Sequence, residues 1–153
     1  MKSTERFSSR VDAYLKYRPG YPESLLTEIQ KQSGLVPTAT IADIGSGTGI
    51  FTRQLLQGGY EVIAVEPNRE MREAAEALLA DEPRFTSVDG NAEESRLGSA
   101  SIDLITAAQA FHWFNTDAAK REFRRVLKAD GKLALIWNRR KVSQPFQQTY
   151  DAI

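Results

Sequence analysis

Thr40-Ile41-Ala42-Asp43-Ile44-Gly45-Ser46-Gly47-Thr48-Gly49 decides how the rest of this chain reads. A short apolar run enters a turn with glycine at every second position, and a helix-like stretch follows. Glycine lets the backbone bend sharply and lets a bulky ligand lie against main chain, because no Cβ intrudes. A helix that starts after such a turn offers unpaired N–H groups to an anionic or polar ligand group. The dinucleotide fingerprint G-x-G-x-x-G would need its third glycine at position 50. Ile50 stands there, and Gly49 comes one residue early. A plain strand-to-helix turn is the alternative, although a turn alone rarely needs three glycines.

Outward from that stretch, strands alternate with helices. Upstream, Phe7, Val11, Tyr14 and Leu15 have helical spacing, and Tyr17-Arg18-Pro19-Gly20-Tyr21-Pro22 continues with an aromatic-rich segment. This part reads either as a lid over a ligand or as a helix packed on the body. Pro22 suits the first turn of a helix carrying Leu25, Leu26 and Ile29, and Gly34 ends it. Thr48 to Gln57 predicts a helix with Phe51, Leu55 and Leu56 inward. Tyr60 to Val65 is a second strand, ending in Glu66 and Pro67. Asn68 caps a helix with Met71, Ala74, Ala75, Leu78 and Leu79 on one face. Arg84 to Val88 is a third strand and Ile102 to Ala108 a fourth, apolar enough to be covered on both faces. Asn115 or Thr116 opens a helix to about Lys128; Asp130-Gly131 turns the chain into a fifth strand, Lys132 to Asn138. A further helix starts near Pro145. The expected fold is α/β: a doubly wound, mostly parallel sheet with helices on both faces and a ligand at the strand C-termini.

The chain has 153 residues, 20 basic and 20 acidic, one histidine and no cysteine. A single domain is expected over 1–153. Zero net charge lacks the basic bias of a nucleic-acid binder, so none is expected as partner. Without cysteine there are no disulfides, thiolate zinc sites, cysteine-ligated clusters or thiol nucleophile, and no metal site is expected. No signal peptide is visible and no apolar run approaches membrane-spanning length, so the expectation is cytoplasmic, without membrane association.

Isoleucine to threonine over positions 41–52, "IADIGSGTGIFT", resembles the first motif of the class I S-adenosylmethionine-dependent methyltransferases. The likeness runs from about Phe7 to the end, with later motifs in the family's order, and is nearest to a small-molecule branch. It implies a Rossmann-like methyltransferase fold. Residues 1–36 would be a helical lid segment, 37–138 the cofactor-binding core and 139–153 the start of a C-terminal part. The family's sheet usually continues into an antiparallel hairpin after the fifth strand. The chain ends short of that, so the resemblance implies a truncation or a short variant. The fifth strand would then be an open edge, expected to pair with another chain or to lie under the C-terminal segment.

S-adenosylmethionine presents an adenine, two ribose hydroxyls, a sulfonium, an ammonium and a carboxylate. Glu66, at the end of the second strand, can take both hydroxyls; an NAD site wants an acid there too, so Glu66 alone does not separate the cofactors. By resemblance, Pro67 and Met71 cover one face of adenine. The family's G-D-A-E reads Gly90-Asn91-Ala92-Glu93 here. Asn91 would accept from the adenine amino group through its carbonyl oxygen, or be an ordinary turn residue. Ala92 would offer its N–H to the ring. Main chain at Gly45, Ser46, Gly47 and Gly49 lies against the ligand, with the ammonium near Gly45 and the Asp43 carboxylate. Asp43 can equally brace the turn. Arg18 pairs with a carboxylate or is a surface residue. His112, in Phe111-His112-Trp113-Phe114, is the candidate general base, with packing as its alternative. Gln109 is a candidate for orienting cofactor or substrate. Trp113 and Phe111 line an acceptor pocket or pack in the core. Lys120 to Lys128 reads as a solvated face, and Arg139-Arg140-Lys141 as a loop or an acid-binding site. The expected reaction is methyl transfer to a small molecule, with S-adenosylhomocysteine as product. A fragment without turnover and a nicotinamide oxidoreductase are the competing readings.

Overall fold

A computed structural model of the chain describes residues 20–138. The described elements are α1 (Glu23–Ser33), β1 (Thr40–Ile44), α2 (Ile50–Gln57), β2 (Glu61–Val65), α3 (Arg69–Leu78), β3 (Phe85–Val88), β4 (Ile102–Ala108), a 3-10 turn (Phe111–Trp113), α4 (Thr116–Val126) and β5 (Leu127–Ile136). The five strands form one parallel sheet in the order β3-β2-β1-β4-β5. Strand order reverses between β1 and β4, and such a switch point opens a crevice beyond the strand C-termini. The expected lid helix at 7–17, Arg18, the basic triplet 139–141 and the helix from 145 lie outside the described residues.

The two faces of the sheet follow from strand alternation. Ile41, Val62 and Leu104 turn to one face, packing with Ile29 of α1, Phe51, Leu55 and Leu56 of α2, and Leu79. Ala42, Ile44, Val65 and Ile105 turn to the other, under Ala119, Phe123 and Val126 of α4. Asp43 falls between Ala42 and Ile44, so it points toward the α1–α2 face with Ile41.

Local chemistry sets most boundaries. Gly34 ends α1 in the left-handed conformation (φ 65°), its N–H on the Gln30 carbonyl. Asn68 and Asn115 cap α3 and α4, their side chains accepting from the Met71 and Ala118 N–H groups. The expected helix from Thr48 starts at Ile50, because Gly49 is left-handed (φ 86°). The helix expected to reach Lys128 stops at Val126. The fifth strand starts earlier than expected, at Leu127, and ends at Ile136. Asp130-Gly131 is an irregularity within it: Ile102 pairs with Leu127 but Leu104 with Lys132. Met71 and Leu78, expected inward, are partly exposed, whereas Ala74, Ala75 and Leu79 are buried.

Among the described residues, the chain between β3 and β4 carries no helix. Side chains hold it instead. The Ser95 N–H and hydroxyl both donate to Glu122 of α4, at 3.0 and 2.6 Å. Arg125 donates to Glu122 and to the Leu97 carbonyl. The Arg125 guanidinium, helped by Ser95, holds the Glu122 carboxyl well below its usual range, at about 2. Among the described residues no helix is long and apolar enough to cross a membrane.

A Cβ on Gly49 would meet Leu79 Cδ1 at 3.1 Å and Ala75 Cβ at 3.2 Å. Gly49→Ala should therefore combine left-handed strain with a crowded α2–α3 contact. The expected loss is about 2 kcal/mol in urea unfolding.

Candidate functional site

Beyond the C-termini of β1, β2 and β4 lies a cleft of about 380 Å³. Its floor is the turn after β1. The Gly45 and Ser46 N–H groups both donate to the Val65 carbonyl, at 2.8 and 3.2 Å, fastening the turn to β2. Gly45 has φ 71°, and a Cβ there would sit 2.7 Å from the Ala110 Cβ. Only glycine lets this backbone pass beneath the chain leaving β4. Gly47 (φ 59°) is in the same region but faces open space, with the Met71 sulfur 3.9 Å from its would-be Cβ.

Glu66 closes the turn from the next strand. Its carboxylate is buried and accepts from the Gly47 N–H at 2.8 Å and the Asn68 N–H at 3.0 Å. Arg72 steadies the peptide behind it, donating to the Glu66 carbonyl at 2.9 Å and pairing with Asp89. Two bonds leave the Glu66 carboxylate with acceptor capacity to spare.

Asp43 is buried at the end of β1 and borders the same cleft. Thr52 of α2 donates to its Oδ2 at 2.7 Å, and Thr106 of β4 to its Oδ1 at 2.9 Å. Burial pushes its pKa up from 3.8 to about 6; the two hydroxyls pull it down, and the Glu66 charge raises it. The Asp43 carboxylate thus joins β1, α2 and β4, and its bonds go to these elements and not to the glycine turn itself. Neither threonine was singled out from the sequence. Thr106 is the register partner of Asp43, and it is a hydroxyl within the apolar run Leu104 to Ala108, which was the available signal.

Gly45, Ser46, Gly47, Pro67, Met71, Ala92 and Gln109 line the cleft with Asp43, Glu66 and Asn91. Gly49 does not; it is spent on the helix contact described above. Asn91 is engaged within its own loop, as its turn alternative has it. Its Oδ1 accepts the N–H groups of Glu93 and Glu94, at 3.0 and 2.7 Å. Both lone pairs are engaged, so the amide keeps a donor, its Nδ2, and not an acceptor. Gln109 has φ 57°, a strained value for a residue with a Cβ, and its N–H donates to the Ile136 carbonyl.

His112 does not line the cleft. In a 3-10 turn, residues three apart share a side. Phe111 and Phe114 accordingly meet edge to face at 5.9 Å, while the His112 ring lies tilted on Trp113 at 4.9 Å. His112 is exposed, beside a tryptophan that borders the cleft. Trp113, 80% exposed, and Phe114 do line the cleft, but Phe111 does not. Tyr21 joins the lining as well, docked by reciprocal bonds between its main chain and the Gln54 side chain. Glu93 is a lining residue to which no role was given from sequence; its carboxylate accepts the Asn115 N–H at 2.6 Å.

The hydroxyls of Ser46 and Thr48 are buried at the cleft without a hydrogen-bond partner among the described residues. Such groups call for a ligand or water. With Glu66 offering acceptor capacity and bare main chain at Gly47, the donor set suits a polar nucleoside.

Sheet order, glycine turn and acid at the end of β2 together define a Rossmann-like methyltransferase fold. Residues 42–135 match the methyltransferase domain family, and the chain belongs to that family. An uncharacterized methyltransferase of Mycobacterium tuberculosis is 38% identical over 136 residues, 88% of this chain and 52% of that protein. The chain thus spans about half the length of the curated relatives it matches. A putative S-adenosylmethionine-dependent methyltransferase from Methanococcus maripaludis has TM-score 0.70 at 26% identity, covering 76% of this chain and 55% of that one. Phosphoethanolamine N-methyltransferase 2 of Haemonchus contortus, solved with S-adenosylmethionine, has TM-score 0.64 at 25% identity, covering 82% of this chain and 31% of that one.

Asp43 sets a pH dependence whose sign is fixed. Its folded pKa lies above the unfolded value, so its contribution is complete below pH 3.8 and lost as pH rises through 6. At about 1.4 kcal/mol per pH unit this loss is about 3 kcal/mol. Asp43→Asn does not titrate. The stability difference, wild type minus variant, should fall between about pH 4 and pH 6 and stay level above, read by urea unfolding across that range.

Proposed function

We propose that the protein transfers a methyl group from S-adenosylmethionine to a small-molecule acceptor. One observation carries the reading: a buried carboxylate, Glu66, hydrogen-bonded to main chain in the middle of the glycine turn, at the shared end of β1 and β2. Glu66 takes the ribose hydroxyls with its remaining lone pairs. Pro67 and Met71 flank the base. Main chain at Gly45 and Gly47, with Asp43 behind it, receives the amino-acid end.

The cofactor supplies a methyl group already activated by a positive sulfur. The work left to the protein is holding an acceptor in line and excluding water. Tyr21, Trp113 and Phe114 provide apolar walls for that, and the strained turn at Gln109 aims its side chain at the same space. No side chain is assigned as general base, since the imidazole of His112 stands outside the lining.

A SAM-binding fragment without turnover is the second reading, favoured by one fact: relatives are about twice as long. Labelled S-adenosylmethionine incubated with a metabolite extract separates the two. Incorporation of label into a small molecule supports turnover; binding without incorporation supports the fragment.

Calorimetric titration should show binding of S-adenosylmethionine and none of NAD. Gly47→Arg, which forces a side chain onto φ 59° at the floor of the cleft, should abolish binding. Glu66→Gln should weaken it by about tenfold, as expected for losing charge-assisted bonds to hydroxyls. NAD binding with no S-adenosylmethionine binding would overturn the proposal.

A further inference from the structure

The walls of the cleft have an uneven charge. Among the described residues, its lining contains three carboxylates, Asp43, Glu66 and Glu93, and no lysine, arginine or histidine. Among the described residues, the hydrogen-bond donors to these carboxylates are neutral: threonine hydroxyls for Asp43, and main-chain N–H groups of Gly47, Asn68 and Asn115 for Glu66 and Glu93. Hydrogen bonds of this kind orient a carboxylate and leave its charge in place. Arg72, behind Glu66, spends itself on two carbonyls and on Asp89 outside the lining. None of the three carboxylates takes part in a salt bridge among the described residues. Their charges therefore act on whatever occupies the space between them.

Resting on the methyltransferase reading above, we propose that this cleft discriminates by charge: Asp43, Glu66 and Glu93 hold the cationic, methyl-bearing form of the cofactor more tightly than its neutral thioether product. The two forms share adenine, ribose and amino acid. They differ by a methyl group and one positive charge on sulfur, so contacts to the shared parts cancel in the comparison. A carboxylate about 8 Å from a unit charge in a solvent-open site changes its binding by about two- to sixfold. Three of them, partly screened, should favour the sulfonium by about tenfold at low salt. The Ser46 and Thr48 hydroxyls, without partners among the described residues, support a ligand against the same wall. Product is then expelled by loss of attraction, with no movement of the fold required.

The test is calorimetric titration of the full chain with three probes: S-adenosylmethionine, S-adenosylhomocysteine, and sinefungin, which carries an amine cation in place of the sulfonium. At about 20 mM salt, both cations should bind about tenfold more tightly than the thioether. At about 1 M salt the ratio should shrink to about twofold, because a Debye length of about 3 Å screens the carboxylates. Glu93→Gln keeps an acceptor for the Asn115 N–H and removes one charge; it should reduce the low-salt ratio by about threefold. Equal or tighter binding of S-adenosylhomocysteine at low salt overturns the charge proposal while leaving the methyltransferase reading intact. A low-salt ratio that does not respond to salt also overturns it. If none of the three binds, the cofactor reading itself fails and this inference with it.

Discussion

The cleft depends on the passage of the chain at Gly45 beneath Ala110. A methyl group added there would stand 2.7 Å from the Ala110 Cβ. Two strands on either side of the switch point must deliver their ends to the same spot, and main chain alone fits between them. Once that crossing is made, Gly45 and Ser46 can share the Val65 carbonyl, and Gly47 can reach the Glu66 carboxylate. The cleft is the space left on the far side of this crossing. Its depth is set by backbone, and its chemistry by the few side chains that reach over the rim.

A buried acid holds the crossing from below. Asp43 stands at the last turn of β1 inward, with one threonine from the following helix and one from the neighbouring strand. A charged group in the middle of a sheet is costly unless its oxygens are satisfied. Here the satisfaction comes from elements that meet only in the folded chain. The residue thus reports correct assembly of β1, α2 and β4 at once, while standing close enough to the cleft to feel the charge of Glu66.

Much of this was legible in the sequence. The strand-to-glycine turn, the alternation of strands and helices, the asparagine caps and the position of Glu66 all depend on local pattern, and local pattern is what a sequence displays. Three details of the site depend on contacts that local pattern does not display. Gly49 belongs to a helix–helix contact with Ala75 and Leu79, which only the folded chain brings together. The oxygen of Asn91 is consumed by its own loop two and three residues on, a competition that composition does not reveal. His112 sits in a 3-10 turn whose threefold repeat pairs Phe111 with Phe114, and its ring lies tilted on Trp113. Thr52 and Thr106 escaped notice because each looks like an isolated hydroxyl until the register of β1 and β4 is known.

The irregularity in β5 has a bearing on how such a sheet can change. Between its pairing with Ile102 and with Leu104, β4 advances two residues while β5 advances five. That detour sits at the end of the sheet remote from the cleft, where Lys128 pairs with Asp103 and the Thr40 N–H is held by the same carboxylate. From Leu104 to Ala108 the pairing is regular again and leads straight to the cleft-side ends of both strands. Residues can be gained or lost in the detour without shifting any pair above it. One rim of the sheet is thereby left open to drift in length, and the opposite rim keeps its alignment.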